Sequence, residues 1–190
     1  MEVIGLAGFA RAGKDTVADI LQEITDGTVE RDAFADRLKL IAALALGVAV
    51  HPDDVGASGV RRWADQFKEA ESVAVIGPGS TVISQISGRQ FLQRLGAEGI
   101  RDVLGANSLV DAVPLHRPDV DLLVITDVRF ENEAKSIHRA GGTIWRINRP
   151  GVVEGDHLSE TPLPDELVDV EIDNSGSIAD LYATVKRARS

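Results

Sequence analysis

The sequence predicts an α/β fold, a parallel sheet of five short strands with helices on both faces. Two observations carry that expectation. Apolar runs of strand length alternate with stretches whose apolar residues recur at helical spacing, the order that produces parallel strands joined by crossover helices. The first apolar run also meets a glycine-rich turn that opens directly into a helix. A chain of 190 residues, 44% hydrophobic and 26% charged, can bury one good core but not two of ordinary size, so residues 1–190 are expected to form one domain.

Val3 to Ala7 is the first strand, and Val17, Ile20, Leu21 and Ile24 give the following helix one apolar face. Thr28 to Phe34 is a weaker strand, followed by a helical pattern at Leu38, Ile41, Ala42 and Ala45. From Gly47 to about Pro118 strand signals fade, which predicts a mostly helical insertion over 47–118 between core segments 1–46 and 119–190. Within it Gln90, Arg94, Glu98 and Arg101 share a helical face opposite Leu92, Leu95 and Val103. Val73 to Ser87, with Gly77-Pro78-Gly79-Ser80, reads as an exposed loop, and Trp63 and Phe67 as core. Asp121 to Thr126 is a continuous apolar strand ending at Asp127, and Glu131 to Ala140 is a helix stopped by Gly141-Gly142. Thr143 to Ile147 is the next strand. The polar stretch 149–166, with Gly151, Gly155 and His157, has the place of a short lid. Val168 to Ile172 closes the sheet, and Ser177 caps a helix through Ile178, Leu181, Val185 and Ala188.

Composition excludes several classes of partner. Lys plus Arg total 20 against 30 Asp plus Glu, a formal net charge of −10 that opposes binding to a nucleic acid polymer. There is no Cys, hence no disulfide framework or thiolate metal site. No apolar run approaches the ~20 residues that span a bilayer, and the N-terminus lacks a basic leader, so a cytoplasmic protein without a membrane partner is expected.

Gly8-Phe9-Ala10-Arg11-Ala12-Gly13-Lys14 has Walker A spacing between a predicted strand and a predicted helix, the context that motif requires. Glycines let the backbone N–H groups wrap an anion, the helix N-terminus adds its dipole, and Lys14 supplies a point charge for β and γ phosphates of ATP. Gly8, Arg11, Ala12, Gly13, Lys14, Asp15 and Thr16 therefore form the expected ATP-binding set, against the alternative of a plain glycine turn capping a helix. Asp15 stands where Ser or Thr usually follows the Lys, so Asp15 or Thr16 is expected to meet Mg2+. The fold expected is a three-layer P-loop NTPase with a helical acceptor-binding insertion and a short lid.

Ligands of such sheets bind beyond the carboxyl ends of the strands. Asp127 ends a strand there and could hold Mg2+ or orient a phosphate through Arg129; alternatively it caps the following helix. Transfer between two anions needs cations, for which Arg11, Arg89, Arg129 and Arg149 are candidates, with Arg89 and Arg129 assigned to the acceptor phosphate. Lys14, Arg129, Asp127 and Arg149 form the expected catalytic set. Asp36 and Lys39 follow the second strand, either as acceptor contacts or as an i, i+3 surface ion pair. Gln93 and Glu98 could read base edges or belong to an exposed helical face. His157 is expected to be an ordinary loop histidine.

Gly13-Lys14-Asp15-Thr16-Val17-Ala18 resembles the variant loop of the deoxynucleoside monophosphate kinases encoded by bacterial viruses, a family related to animal phosphomevalonate kinase. Phe34 to Lys39, the helix carrying Arg89, Leu92, Gln93, Gly96, Glu98 and Arg101, and Asp127 to Glu133 are similar to that group's segments in the same order, as are Arg146 to Pro150 and His157 to Glu160. The resemblance implies ATP- and magnesium-dependent phosphorylation of a deoxynucleoside 5′-monophosphate, in the host cytoplasm if the chain is viral. It implies that Asn174 and its neighbours line the adenine pocket with backbone groups; a turn and helix cap is the alternative. Ala97 departs from the family's Gly-Thr-Glu version. A homodimer is compatible with the sequence. Competing readings are a kinase for phosphomevalonate or dephospho-coenzyme A, or a nucleotide-binding switch.

Overall fold

The computed structural model describes residues 1–48, 58–70, 73–76, 82–151 and 162–190. They fall into two compact units, Met1–Phe34 with Val113–Ser190, and Ala35–Ala112.

The first unit is built on the expected five-stranded sheet. Strands β1 (Glu2–Ala7), β2 (Val29–Asp32), β5 (Leu122–Val128), β6 (Thr143–Asn148) and β7 (Val170–Asp173) run in the order β2-β5-β1-β6-β7. Every pairing is parallel, with Ile4 opposite Val124 on one side of β1 and Leu6 opposite Trp145 on the other. The near-continuous apolar runs of β1 and β5 are those of strands covered on both faces. One core joins Ile4, Leu6 and Val124 to Val17 and Leu21 of α1 (Lys14–Ile24) and to Leu181 and Val185 of α8 (Ile178–Ala188). Toward α7 (Glu131–Arg139), β1 carries Gly5; a Cβ there would lie 2.6 Å from the Ile137 Cδ1 and 2.8 Å from the Ile144 Cδ1, so a larger residue would have to displace both side-chain tips. α8 begins at Ser177, whose hydroxyl accepts the Asp180 N–H, as the sequence predicts.

The second unit holds most of α2 (Phe34–Ala45), with α3 (Ser58–Lys68), β3 (Val73–Ile76), β4 (Val82–Ile86), α4 (Gly88–Arg94), a π-helical stretch (Leu95–Arg101), α5 (Asp102–Leu104) and α6 (Ser108–Asp111). It begins at Ala35, earlier than the expected insertion boundary at 47. Trp63 and Phe67 stack at 5.0 Å, and Phe67 meets Phe91 edge-on at 5.7 Å.

Three local expectations are corrected. Val73 to Ser87 is not a loop throughout: β3 and β4 pair antiparallel, because the β-branched Val73-Ala74-Val75-Ile76 and Val82-Ile83 flank the Gly-Pro segment, which itself lies outside the described residues. Val103 is 72% exposed, not on an apolar face, because i→i+5 bonding over Leu95–Arg101 puts more residues in each turn and breaks the 3.6-residue phase. Ile41 and Ala45 are exposed as well, whereas α2 buries the expected Ala42 together with Ala43. Most of the expected lid, with His157, lies outside the described residues. No helix among the described residues is long and apolar enough to cross a membrane.

Candidate active site

The glycine loop joins the carboxyl end of central strand β1 to α1. Gly8 has φ +131°, and a Cβ on it would come within 2.6 Å of the Ile147 carbonyl oxygen of β6. Gly13 has φ +104° and caps α1 with no side-chain hydrogen bond. Both conformations are ones that L side chains rarely adopt. Arg11 nevertheless takes φ 66°, the one non-glycine residue with positive φ among those described, and its side chain is exposed. Backbone strain of this kind gathers at ligand-binding loops.

Lys14 donates to the carbonyl oxygens of Gly8 and Phe9, both at 2.8 Å, which draws its ammonium over the loop. Burial, with the neighbouring Arg129 guanidinium, lowers its pKa to about 8 against the opposing pull of the Asp15 and Asp127 carboxylates. Asn174, just after β7, donates through Nδ2 to the Ala12 carbonyl at 2.7 Å, while its own N–H donates to the Asn148 carbonyl at 2.8 Å. It thus reaches the loop through its side chain and braces it at the Ala12 carbonyl. That contact spans 162 residues, and no local pattern announces it.

Asp127 accepts the Phe34 N–H at 2.8 Å through Oδ1, so the helix it caps is α2 and not the following α7. The α7 end is capped by Glu133, 2% exposed, whose Oε2 accepts the N–H groups of Arg129 at 2.7 Å and Phe130 at 3.0 Å. Sequence reasoning assigned Glu133 no role, although a Glu at the third position of a predicted helix is a recognisable capping signal. A cavity of about 370 Å³ opens over the loop, lined among others by Gly8, Phe9, Val128, Arg129, Arg149 and Asp173. Arg129 and Arg149 are exposed. Arg146, also in the lining, is committed to Asp165 at 2.6 Å and Glu171 at 3.2 Å.

Asp15 is exposed, Thr16 and Asp127 are half-buried, and among the described residues no three His, Asp or Glu side chains cluster. An all-oxygen set of one or two protein ligands suits Mg2+, which takes its other ligands from water and phosphate. Asp15, Thr16 and Asp127 carry oxygens of that kind, and the Asp15 and Asp127 carboxylates both act on the Lys14 charge.

In the second unit Asp36, 2% exposed, is gripped by Lys39 at 2.8 Å through Oδ1, and by Arg61 through Oδ2, with Nε at 2.7 Å and Nη2 at 2.5 Å. The expected alternative of a surface ion pair is corrected: the pair is a triad, and its carboxylate is buried. Burial would raise the Asp36 carboxyl, but hydrogen bonds and charge from Arg61 and Lys39 together hold it below the usual range. Arg61, 25 residues away, gives no sequence signal. Arg89 is well exposed and 3.5 Å from Glu69. Glu98 is 70% exposed and 4.0 Å from Arg94, the geometry of a solvated i, i+4 pair. Gln93 is half-buried.

No family model matches the chain. A deoxynucleotide monophosphate kinase of Escherichia phage RB69 is 28% identical over 110 residues, which take in 57% of this chain and 40% of that protein. The enzyme of the same name from Enterobacteria phage T4 is 24% identical across 98% of both chains. A dephospho-CoA kinase of Corynebacterium glutamicum is 27% identical over 96% of this chain and 95% of its own length.

Proposed function

We propose that this chain, a P-loop phosphotransferase related to viral deoxynucleotide monophosphate kinases, transfers the γ-phosphoryl group of ATP to deoxynucleoside 5′-monophosphates, giving the diphosphates, with Mg2+. The observation that carries the reading is the loop at the end of β1, with Lys14 drawn over its carbonyls and the exposed Arg129 and Arg149 lining the adjoining cavity.

Gly8 to Gly13 offer backbone N–H groups to the ATP phosphates, and Lys14 leaves its two carbonyls for the β and γ oxygens. Arg129 and Arg149 neutralise charge on the phosphoryl group in transit, where preorganised cations contribute most. Asp15, Thr16 or Asp127 would hold a Mg2+ ion, directly or through its water shell, and the ion would supply charge neutralisation for the phosphates. A monophosphate acceptor is already ionised, so no strong general base is required. Gln93 and Glu98 face the acceptor base in this reading, with Arg89 and the Asp36 and Lys39 pair on its phosphate side. In this reading the protein is a cytoplasmic enzyme, of the host cytoplasm if the chain is viral.

The dephospho-CoA kinase relative supports a second acceptor class. The deciding experiment incubates the protein with ATP, Mg2+ and, in turn, each deoxynucleoside and ribonucleoside monophosphate, dephospho-coenzyme A and phosphomevalonate, and measures acceptor-dependent ADP formation. Turnover with one or more deoxynucleotides is expected. Turnover with dephospho-coenzyme A alone establishes the second reading. Lys14→Met should abolish transfer and keep the circular dichroism spectrum; a variant that still turned over would remove the loop from the reaction.

A further inference from the structure

We infer that Lys39 and Arg61, held in place by the buried Asp36, form an anion subsite in the second unit that binds the phosphate monoester of the acceptor; this rests on the kinase reading. The Asp36 side chain is 1% exposed, so its carboxylate is closed to a sugar hydroxyl and acts as a positioning residue. One carboxylate balances one cation. Among the described residues, two cations on Asp36 leave a surplus positive charge, half-buried, in a chain whose formal net charge is −10.

Holding two like charges together beside a single buried carboxylate is expensive unless a second anion completes the set. Among the described residues both cations keep unused donors: Lys39 spends one of its three hydrogens on Asp36, and Arg61 donates to it through Nε alone, its buried Nη2 lying 2.5 Å from the same oxygen without a hydrogen-bond partner. Pinned through Asp36, they lose little side-chain freedom on binding. A phosphate dianion matches them in charge and in its number of acceptor oxygens. A bare ion-pair triad, by contrast, would bear on stability and be indifferent to ligand charge.

The test is calorimetric, on the full chain. Binding of the four deoxynucleoside 5′-monophosphates, the four parent deoxynucleosides and inorganic phosphate is measured for the native protein, Arg61→Ala, Arg61→Lys and Lys39→Gln. Monophosphate affinity should fall about tenfold to hundredfold in Arg61→Ala and Lys39→Gln, the worth of one charge-assisted hydrogen-bonding partner. Deoxynucleoside affinity should stay within about twofold, and Arg61→Lys should recover part of the loss. Equal losses for nucleoside and monophosphate, or unchanged monophosphate affinity, overturn the subsite. Circular dichroism shows which variants fold; if Arg61→Ala does not, Lys39→Gln and Arg61→Lys decide. Arg61-dependent monophosphate binding without acceptor-dependent ADP formation leaves the subsite standing and removes the kinase reading. Deoxynucleotide turnover at limiting acceptor that ignores Arg61→Ala does the reverse.

Discussion

Lys14 carries two requirements that titrate in opposite directions. Burial and Arg129 set its pKa at about 8, while its service to ATP needs the charged form. ATP affinity should therefore be level below that pH and fall above it, approaching about tenfold per pH unit. Removing a like charge raises the pKa, so Arg129→Gln should move the fall to higher pH; calorimetry across pH 7 to 10 measures both, and a flat native profile refutes the assignment. Stability runs the other way. A lysine whose folded pKa lies below its unfolded value of 10.5 costs stability below about 8, and that cost lifts as pH rises between the two values. The melting temperature of the native protein, compared with Lys14→Met, should accordingly rise across this window. Asn174 allows a cleaner test of the loop brace. Asn174→Ala removes one hydrogen bond to Ala12, which at roughly 0.5–1.5 kcal/mol lowers ATP affinity by about twofold to tenfold. Asn174→Asp sets a carboxylate against the same carbonyl and should lower it further.

At the scale of elements, glycine positions separate packing from propensity. A Cβ on Gly88, at the start of α4, would stand 1.7 Å from the Phe67 carbonyl oxygen near the end of α3. Backbone cannot yield cheaply, so Gly88→Ala should cost more than about 2 kcal/mol, read from denaturant midpoints. Gly99→Ala meets the tip of Leu95 at 3.2 Å and the Arg94 carbonyl oxygen at an ordinary 4.0 Å, and should stay within about 1 kcal/mol. Equal costs would mean that the α3 and α4 approach is softer than its geometry. The same elements show what sequence reading reaches. The five sheet strands were legible because β1 and β5 are buried on both faces and so nearly unbroken in hydrophobicity. The β3 and β4 pair was hidden by the Gly-Pro-Gly-Ser composition between them, which outweighed two short β-branched runs. Val103 was misplaced because a π-helical stretch has no signature in hydrophobic spacing, only consequences for it. The phosphate loop was legible because its chemistry is contiguous, from Gly8 to Thr16. The Asp36 triad and the Asn174 brace were not, since each joins residues that only the folded chain brings together.

For the whole molecule, the division into Met1–Phe34 with Val113–Ser190 and Ala35–Ala112 places the proposed ATP determinants in one unit and most proposed acceptor determinants in the other. Ligand binding stabilises the segments it engages through mass action, and amide hydrogen exchange resolves that gain along the chain. ATP with Mg2+, given alone, should slow exchange over Gly8–Lys14 and the start of α1. A deoxynucleoside monophosphate, given alone, should slow it in α2 and α3, around Asp36, Lys39 and Arg61. At about one hundred times its dissociation constant each ligand contributes ~2.7 kcal/mol, enough to displace exchange rates by about a hundredfold wherever opening must release it. The control is Arg61→Ala, in which the monophosphate footprint should fade while the ATP footprint persists. If both ligands protected the same segments, or if the monophosphate protected only the loop after β1, the acceptor would have no site of its own in the second unit. The assignment of Lys39 and Arg61 to its phosphate would then fail, with the ATP loop unaffected.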